Sequence, residues 1–267
     1  MTAINPAKLK IQAADLAVLI NQPDQFTAQL HELCSFYSAR VRQTSLTRTS
    51  LNLHTYRIPE PVMPTLVHEI TESLGDDHQI SFELMDALWQ ENWLEFRQLA
   101  ILLLSLLPHP EPDSILDKAQ SWLDSCNSEE IRQSVMSEGL GGLARQKPRV
   151  FLAFIQDLIS SASKDNLQAA IYGLASLAKD PSYTNLPLLF KHLSKILLTE
   201  ERGLAKEISA LVRVLASRSE QETTYFLVKQ LQPDCNPRIL RVIRGVMDGL
   251  SKENQALLRE KMESYRD

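Results

Sequence analysis

LMDALWQENWLEFRQLAILLLSLL, residues 84–107, reads as the end of one helix, a break around 90–93, and a second helix whose run from 99 to 107 is apolar nearly all round. A helix with apolar residues on every side must be covered by neighbours on more than one face. Such a segment belongs inside a stack of helices rather than on a surface.

The same helix recurs. With Ile101, Leu104 and Leu107 as buried rungs, a step of 35 residues reaches Met136, Gly139 and Gly142, and another reaches Ile171, Leu174 and Leu177. A step of 37 gives Ile208, Leu211 and Val214, and a further 35 gives Ile243, Val246 and Gly249. Partner helices are expected between them at 114–123, 149–159, 186–198 and 223–231. Two helices per unit at a nearly constant period, with no strand signal, predict an all-α fold, an α-solenoid (superhelix). The Trp, Gly and Tyr pattern of tetratricopeptide repeats is missing, so the units are expected to be HEAT-like helical hairpins. Such a stack has no internal boundary, and 1–267 is expected to form one domain. It comprises an N-terminal helical hairpin at about 5–42, repeats at about 56–250 and a capping helix at about 251–266. Asn5 is placed to cap the first helix, with Pro6 at the first helical position where its missing donor costs nothing. Residues 43–55, rich in Ser and Thr, read as a loop or a marginal helix.

A hydrophobic content of 44% suits a packed protein, and 8 Gly with 13 Pro suits helices punctuated at their ends. Cys34, Cys126 and Cys235 are odd in number and far apart, without metal-ligand spacing; reduced core thiols in a cytoplasmic protein are expected. No apolar run approaches the roughly 18 to 20 residues of a membrane span. The net charge of −5 hides a strong pattern. Between 69 and 130 stand 14 Asp plus Glu against only Arg97 and Lys118, a balance that repels phosphate. Residues 33–59 hold no acid but carry Arg40, Arg42, Arg48 and Arg57 with His54 among them; 236–247 carries Arg238, Arg241 and Arg244. Both basic patches are suited to an anion, and Arg40, Arg42, Arg48 and Arg241 are the candidate phosphate contacts.

No phosphate-cradling nucleotide loop is present; Gly139, Gly141 and Gly142 lack its spacing and are read as points where helices approach closely. The six histidines include no pair at i, i+3 or i+4, so no helix-borne metal site is expected, nor any cofactor. On the face displaced from the buried rungs fall Gln98 and Ser105, Gln133 and Ser137, Gln168 and Tyr172, Ser209 and Arg213, then Arg244. The three glutamines lie 35 residues apart and form a polar ladder suited to a backbone or a peptide. The expected concave binding face is therefore Gln98, Gln133, Gln168, Tyr172, Arg213 and Arg244.

Residues 55–107 carry a more specific pattern: a Tyr-x-Ile-Pro-x-Pro turn before a helix, then Leu88, Trp89, Trp93, Glu95, Arg97, Ala100 and Ile101 as LW-x-x-x-W-x-E-x-R-x-x-A-I. This resembles the bacterial DNA alkylation repair proteins, HEAT-like glycosylases that remove N3- and N7-alkylated purines. The resemblance implies a concave basic face that grips the duplex without flipping the base. It also implies tryptophans and an aspartate that stabilise the sugar cation as the glycosidic bond breaks. Aligned through Gly139, Leu140 and Pro148, however, Gln133 stands at the family's aspartate, Glu129 at its tryptophan and Gln168 at an arginine. An amide cannot supply the charge that an oxocarbenium-like transition state needs. The other anchor, Ser121-Trp122-Leu123-Asp124, offers Trp122 and Asp124 as the catalytic pair at the cost of about six inserted residues. The expectation is a protein of this family without its catalytic residues, binding DNA or a protein; an active glycosylase using Asp124 and Trp122, and a protein scaffold unrelated to DNA, are the alternatives.

Overall fold

The structure is a computed structural model that describes all residues except 1–3, 39–52, 75–77, 108–111, 162, 200–202, 232–238 and 265–267. The described residues are helical, with one isolated backbone bridge between His54 and Trp93 in place of any sheet. Two compact units, Met1–Gly142 and Leu143–Asp267, make up the chain.

The first unit holds α1 (Pro6–Ala17), α2 (Pro23–Ser38), α3 (Val62–Leu74), α4 (His78–Gln90), α5 (Leu94–Leu106), α6 (Pro112–Ser125), α7 (Glu129–Ser134) and a π-helical turn (Val135–Gly139). Asn5 caps α1, its side-chain oxygen accepting from the Ala7 and Lys8 amides at 3.1 and 3.2 Å, with Pro6 opening the helix. Ahead of α3 the prolines stop earlier helix and set its start: the Val62 amide donates to the Pro59 carbonyl, and Val62, Leu66, Ile70 and Leu74 then bury one stripe. Packing alternates along the chain, α1 on α3, α3 on α5, and α5 on the π turn, while α2 packs on α4.

α8 (Gly141–Gln146) carries the chain onward, and the second unit then holds α9 (Pro148–Ser160), α10 (Lys164–Lys179), α11 (Leu186–Thr199), α12 (Ala205–Arg218), α13 (Glu220–Gln230), α14 (Ile239–Val246), a 3-10 turn (Met247–Gly249) and α15 (Lys252–Ser264). Here α10 packs on α12 and α12 on α14, with α9 against α10 and α11, and α13 against α15. Arg218 closes the C-terminal end of α10, donating to the carbonyls of Ala178, Asp180 and Tyr183.

Most of the expected rungs are core: Ile101, Leu104, Met136, Ile171, Leu174, Leu177, Ile208, Leu211, Ile243 and Val246 are all buried. Two are not. On α12 the buried stripe runs Ile208, Leu211, Val212, Leu215, so Leu215 takes the place expected of Val214, which is half-buried. α14 ends at Val246, and Gly249 lies exposed in the 3-10 turn after it. The helix expected through 136–142 is interrupted: the Leu140 amide bonds to the Val135 carbonyl at 3.0 Å, an i to i+5 step that inserts one extra residue into the turn. Gly139 in that turn meets α5, since a Cβ built on it would lie 3.4 Å from the Ile101 methyl. Gly141 meets nothing within 4 Å, so the close-approach reading holds for the first glycine and not the second. Cys34 and Cys126 are buried and unpaired; Cys235, like Arg40, Arg42 and Arg48, lies outside the described residues. No described helix is long and apolar enough to cross a membrane.

Candidate functional site

The residues of the LW-x-x-x-W-x-E-x-R motif do three separate jobs within the first unit. Trp89 stacks face to face on Trp122 of α6, with ring centroids 4.5 Å apart and planes 8° from parallel, and its indole N–H donates to Ser125 Oγ at 3.1 Å. The Arg97 guanidinium lies over Trp89, 5.1 Å from the ring centroid, and its Nε donates to the Glu91 carbonyl. Burial pulls that guanidinium below its ordinary value. Trp93 stacks on Tyr56 at 3.9 Å, with His54 against it at 5.1 Å. Glu95, 4% exposed, reaches across to the Tyr-x-Ile-Pro-x-Pro turn, where its Oε1 accepts from the Thr55 hydroxyl and the Arg57 amide, both at 2.8 Å. Backbone bonds from His54 to Asn92 and from Leu94 to His54 complete the strap. His31 of α2 joins this layer: Nδ1 is 2.8 Å from the Tyr56 hydroxyl, Nε2 is 3.3 Å from Glu91 and the ring is 4.3 Å from Phe96. Burial, with Cys34, Glu95 and Glu91 nearby, raises the Tyr56 phenol, and burial beside Glu95 pushes the Cys34 thiol up to about 12.

Trp122 and Asp124 do not form a pair. The Trp122 ring is 1% exposed inside the unit, whereas Asp124 is exposed and accepts a hydrogen bond from Gln120 on its own helix. Residues two apart on a helix point about 200° away from one another, so one of them faces the core and the other solvent. Gln133 is an exposed amide on α7 and Gln98 is half-buried on α5.

In the second unit the expected ladder loses two members to internal bonds. Gln168 is 7% exposed and donates to Glu207 Oε1 of α12 at 3.3 Å, because α10 and α12 pack closely enough for the amide to be covered. Arg213 is exposed yet donates to the Gly245 carbonyl near the end of α14, and Ser209 Oγ bonds to the Ala205 and Val242 carbonyls beside it. Tyr172 is half-buried. Arg241 and Arg244 are exposed on α14, held there by the Ser209, Arg213 and Gly245 contact. Arg244 also faces a cavity of about 350 Å³ shared with Met247, Arg259, Met262 and Glu263.

Sequence reading alone assigned no role to His31 or Glu95 at the turn, although Trp93 and Glu95 both belong to the quoted motif. Charge divides sharply between the units. Residues 1–142 carry nine Lys plus Arg and 19 Asp plus Glu, a net of −10; residues 143–267 carry 19 and 14, a net of +5. Among the described residues no group of three or more His, Cys, Asp or Glu is placed to hold a metal ion.

Comparison with known proteins agrees with the motif. No curated protein and no solved structure matches the chain. The family model described as DNA alkylation repair enzyme matches residues 52–241, from just before the Tyr56 turn to Arg241 of α14. With well over half of its length matched, and with the strap and α5 inside the match, the chain belongs to the DNA alkylation repair family.

Proposed function

We propose that this chain is a cytoplasmic member of the DNA alkylation repair family that grips nucleic-acid backbone without cutting the glycosidic bond, its helices forming one domain of HEAT-like hairpins. The alternate packing of α1, α3 and α5, and of α10, α12 and α14, supports the hairpin reading. The observation that carries the non-cleaving reading is the separation of Trp122 from Asp124. With Trp122 stacked on Trp89 in the core, the only tryptophan and carboxylate pair the alignment could offer has no common surface. In the preferred alignment, through Gly139, Leu140 and Pro148, the aspartate position holds Gln133, an amide, with Glu129 where the family has a tryptophan.

The binding half of the reading rests on charge. Phosphate contacts supply most non-specific affinity for nucleic acid, because each releases condensed counterions, and this makes the affinity fall with salt. The second unit, net +5, presents Arg241 and Arg244 without ion pairs among the described residues. The first unit, net −10, is the observation that favours a protein partner instead.

The test is release of 7-methylguanine or 3-methyladenine from alkylated duplex DNA, with binding to the same duplex followed at two salt concentrations. No release, with salt-sensitive binding whose log–log slope falls by about two in an Arg241→Ala, Arg244→Ala variant, is expected. Base release that disappears in Asp124→Asn overturns the non-cleaving reading. Absence of both release and binding leaves the protein scaffold.

A further inference from the structure

We infer that Arg57 is a nucleic-acid contact, held out on the strap so that its guanidinium meets a phosphate while the adjoining ring layer takes the face of an unpaired base. The inference deepens the nucleic-acid reading above and rests on it. Arg57 has φ +53°, the one positive value found on a residue with a side chain among those described. A left-handed backbone is disfavoured for any residue with a Cβ, and glycine or asparagine meets the same geometry with less strain. The turn is nevertheless locked there. Its amide donates to Glu95 Oε1 at 2.8 Å and lies 3.1 Å from Thr55 Oγ1, and Pro59 holds the residue before it extended.

No described residue uses the guanidinium. Arg57 is exposed, and its side chain makes no hydrogen bond or ion pair among the described residues. Strain kept at a position whose side chain no described residue engages points to an external partner. The surroundings say which. His54 is exposed with its ring on Trp93, and Tyr56, half-buried, covers the same indole. An exposed arginine next in sequence to stacked aromatic rings supplies the combination that binds single strands, charge for the backbone and π faces for the bases. Of the carboxylates around the strap, Glu91 pairs with His31 and Glu95 is taken by the turn itself, while Glu60, three residues on, is exposed. The acid excess of the rest of the unit is screened beyond about 8 Å at physiological salt.

The experiment uses the full chain with Arg57→Asn, which keeps a residue tolerant of left-handed backbone and removes the charge. Fluorescence anisotropy with a labelled single-stranded oligonucleotide and with the corresponding duplex, at two salt concentrations, is run beside a thermal melt. The expected result is a Tm equal to or above that of the unmodified protein, with single-strand affinity three- to tenfold weaker and the salt slope reduced by about one. His54→Ala should weaken the single strand more than the duplex. Unchanged affinity in Arg57→Asn overturns the inference; if Arg241→Ala, Arg244→Ala still loses binding, the backbone-gripping reading survives it. No binding of either oligonucleotide by the unmodified protein overturns both. Competition by poly-glutamate as effective as that by DNA of equal charge overturns the assignment to nucleic acid.

Discussion

Oε1 of Glu95 lies 2.8 Å from the amide nitrogen of Arg57, so a buried acid on α5 fixes the one left-handed side-chain-bearing residue of the described chain, 38 positions earlier. The same oxygen also takes the Thr55 hydroxyl. The E of the E-x-R motif is thus the clasp between the Pro-rich turn and the helix that follows.

Removing that clasp should be costly. Glu95→Ala leaves the Arg57 amide and the Thr55 hydroxyl without their acceptor, and hydrogen bonds to charged groups contribute roughly 1.5–3 kcal/mol each. A loss of at least about 2 kcal/mol in urea unfolding is expected. Glu95→Gln keeps one acceptor but turns an amide N–H₂ into the buried Oε2 position, where the structure offers no partner, and should cost about 1 kcal/mol or more. An Ala variant within 0.5 kcal/mol of the unmodified protein would show that the strap holds without Glu95.

Trp122 and Asp124 should separate in their effects as they do in space. Trp122→Ala empties a buried, stacked site and is expected to cost about 3–5 kcal/mol. Asp124→Asn, on an exposed carboxylate, should stay within about 0.5 kcal/mol and leave nucleic-acid affinity unchanged. Denaturant midpoints of the two variants decide it; a large loss from Asp124→Asn would contradict its solvent position.

The buried helix faces were legible because a 3.6-residue period needs only one chain segment at a time: Ile101, Ile171, Ile208 and Ile243 all fall in helices and are all buried. What depends on a second segment was not. Gln168 shares its spacing with Gln98 and Gln133, yet only Gln168 meets a carboxylate, because Glu207 arrives from a helix 39 residues on. The π turn at Val135–Gly139 is set against Ile101, and no local pattern announces it. The division of Trp122 from Asp124 was readable in principle, since their i, i+2 spacing on one helix already forbids a shared face. Arg57 gives no sequence sign of its backbone, because its conformation is imposed by Glu95.

Acid should weaken the junction of α13 and α15 through Glu220. Its carboxylate accepts from Asn254 Nδ2 at 2.6 Å and from the Ser251 amide at 2.7 Å, and these bonds hold it below the ordinary carboxylate range. A depressed folded value means that the stabilisation is fully present above the ordinary carboxylate value of 4.5. It is lost as pH falls through the folded one. Glu220→Gln should therefore lower Tm at pH 7, and the difference from the unmodified protein should close as pH falls below about 4. A Tm difference constant from pH 7 to pH 3 would show that the carboxylate charge plays no part.

Two glycines should respond oppositely to a single methyl group. A Cβ on Gly139 would meet the Ile101 methyl at 3.4 Å and Leu104 at 3.7 Å, ordinary contact, and alanine in a helical turn removes backbone freedom from the unfolded chain. Gly139→Ala is expected to be neutral or to stabilise by up to about 1 kcal/mol. On Gly245 the same Cβ would lie 2.6 Å from Ser209 Oγ, closer than real atoms sit, and a tight 3.2 Å from Ser209 Cβ. Ser209 cannot simply turn away, because its hydroxyl is bonded to the Ala205 and Val242 carbonyls. Gly245→Ala should therefore push α14 from α12, cost roughly 1–3 kcal/mol and loosen the bond from Arg213 to the Gly245 carbonyl. Because the clash is with one hydroxyl, Ser209→Ala should be non-additive with it, the double variant recovering part of the loss. Urea unfolding of the three variants measures the coupling. If Gly245→Ala and Ser209→Ala simply add, the two helices are not in contact at this point, and the placement of Arg241 and Arg244 on a helix pinned by Ser209 fails with it.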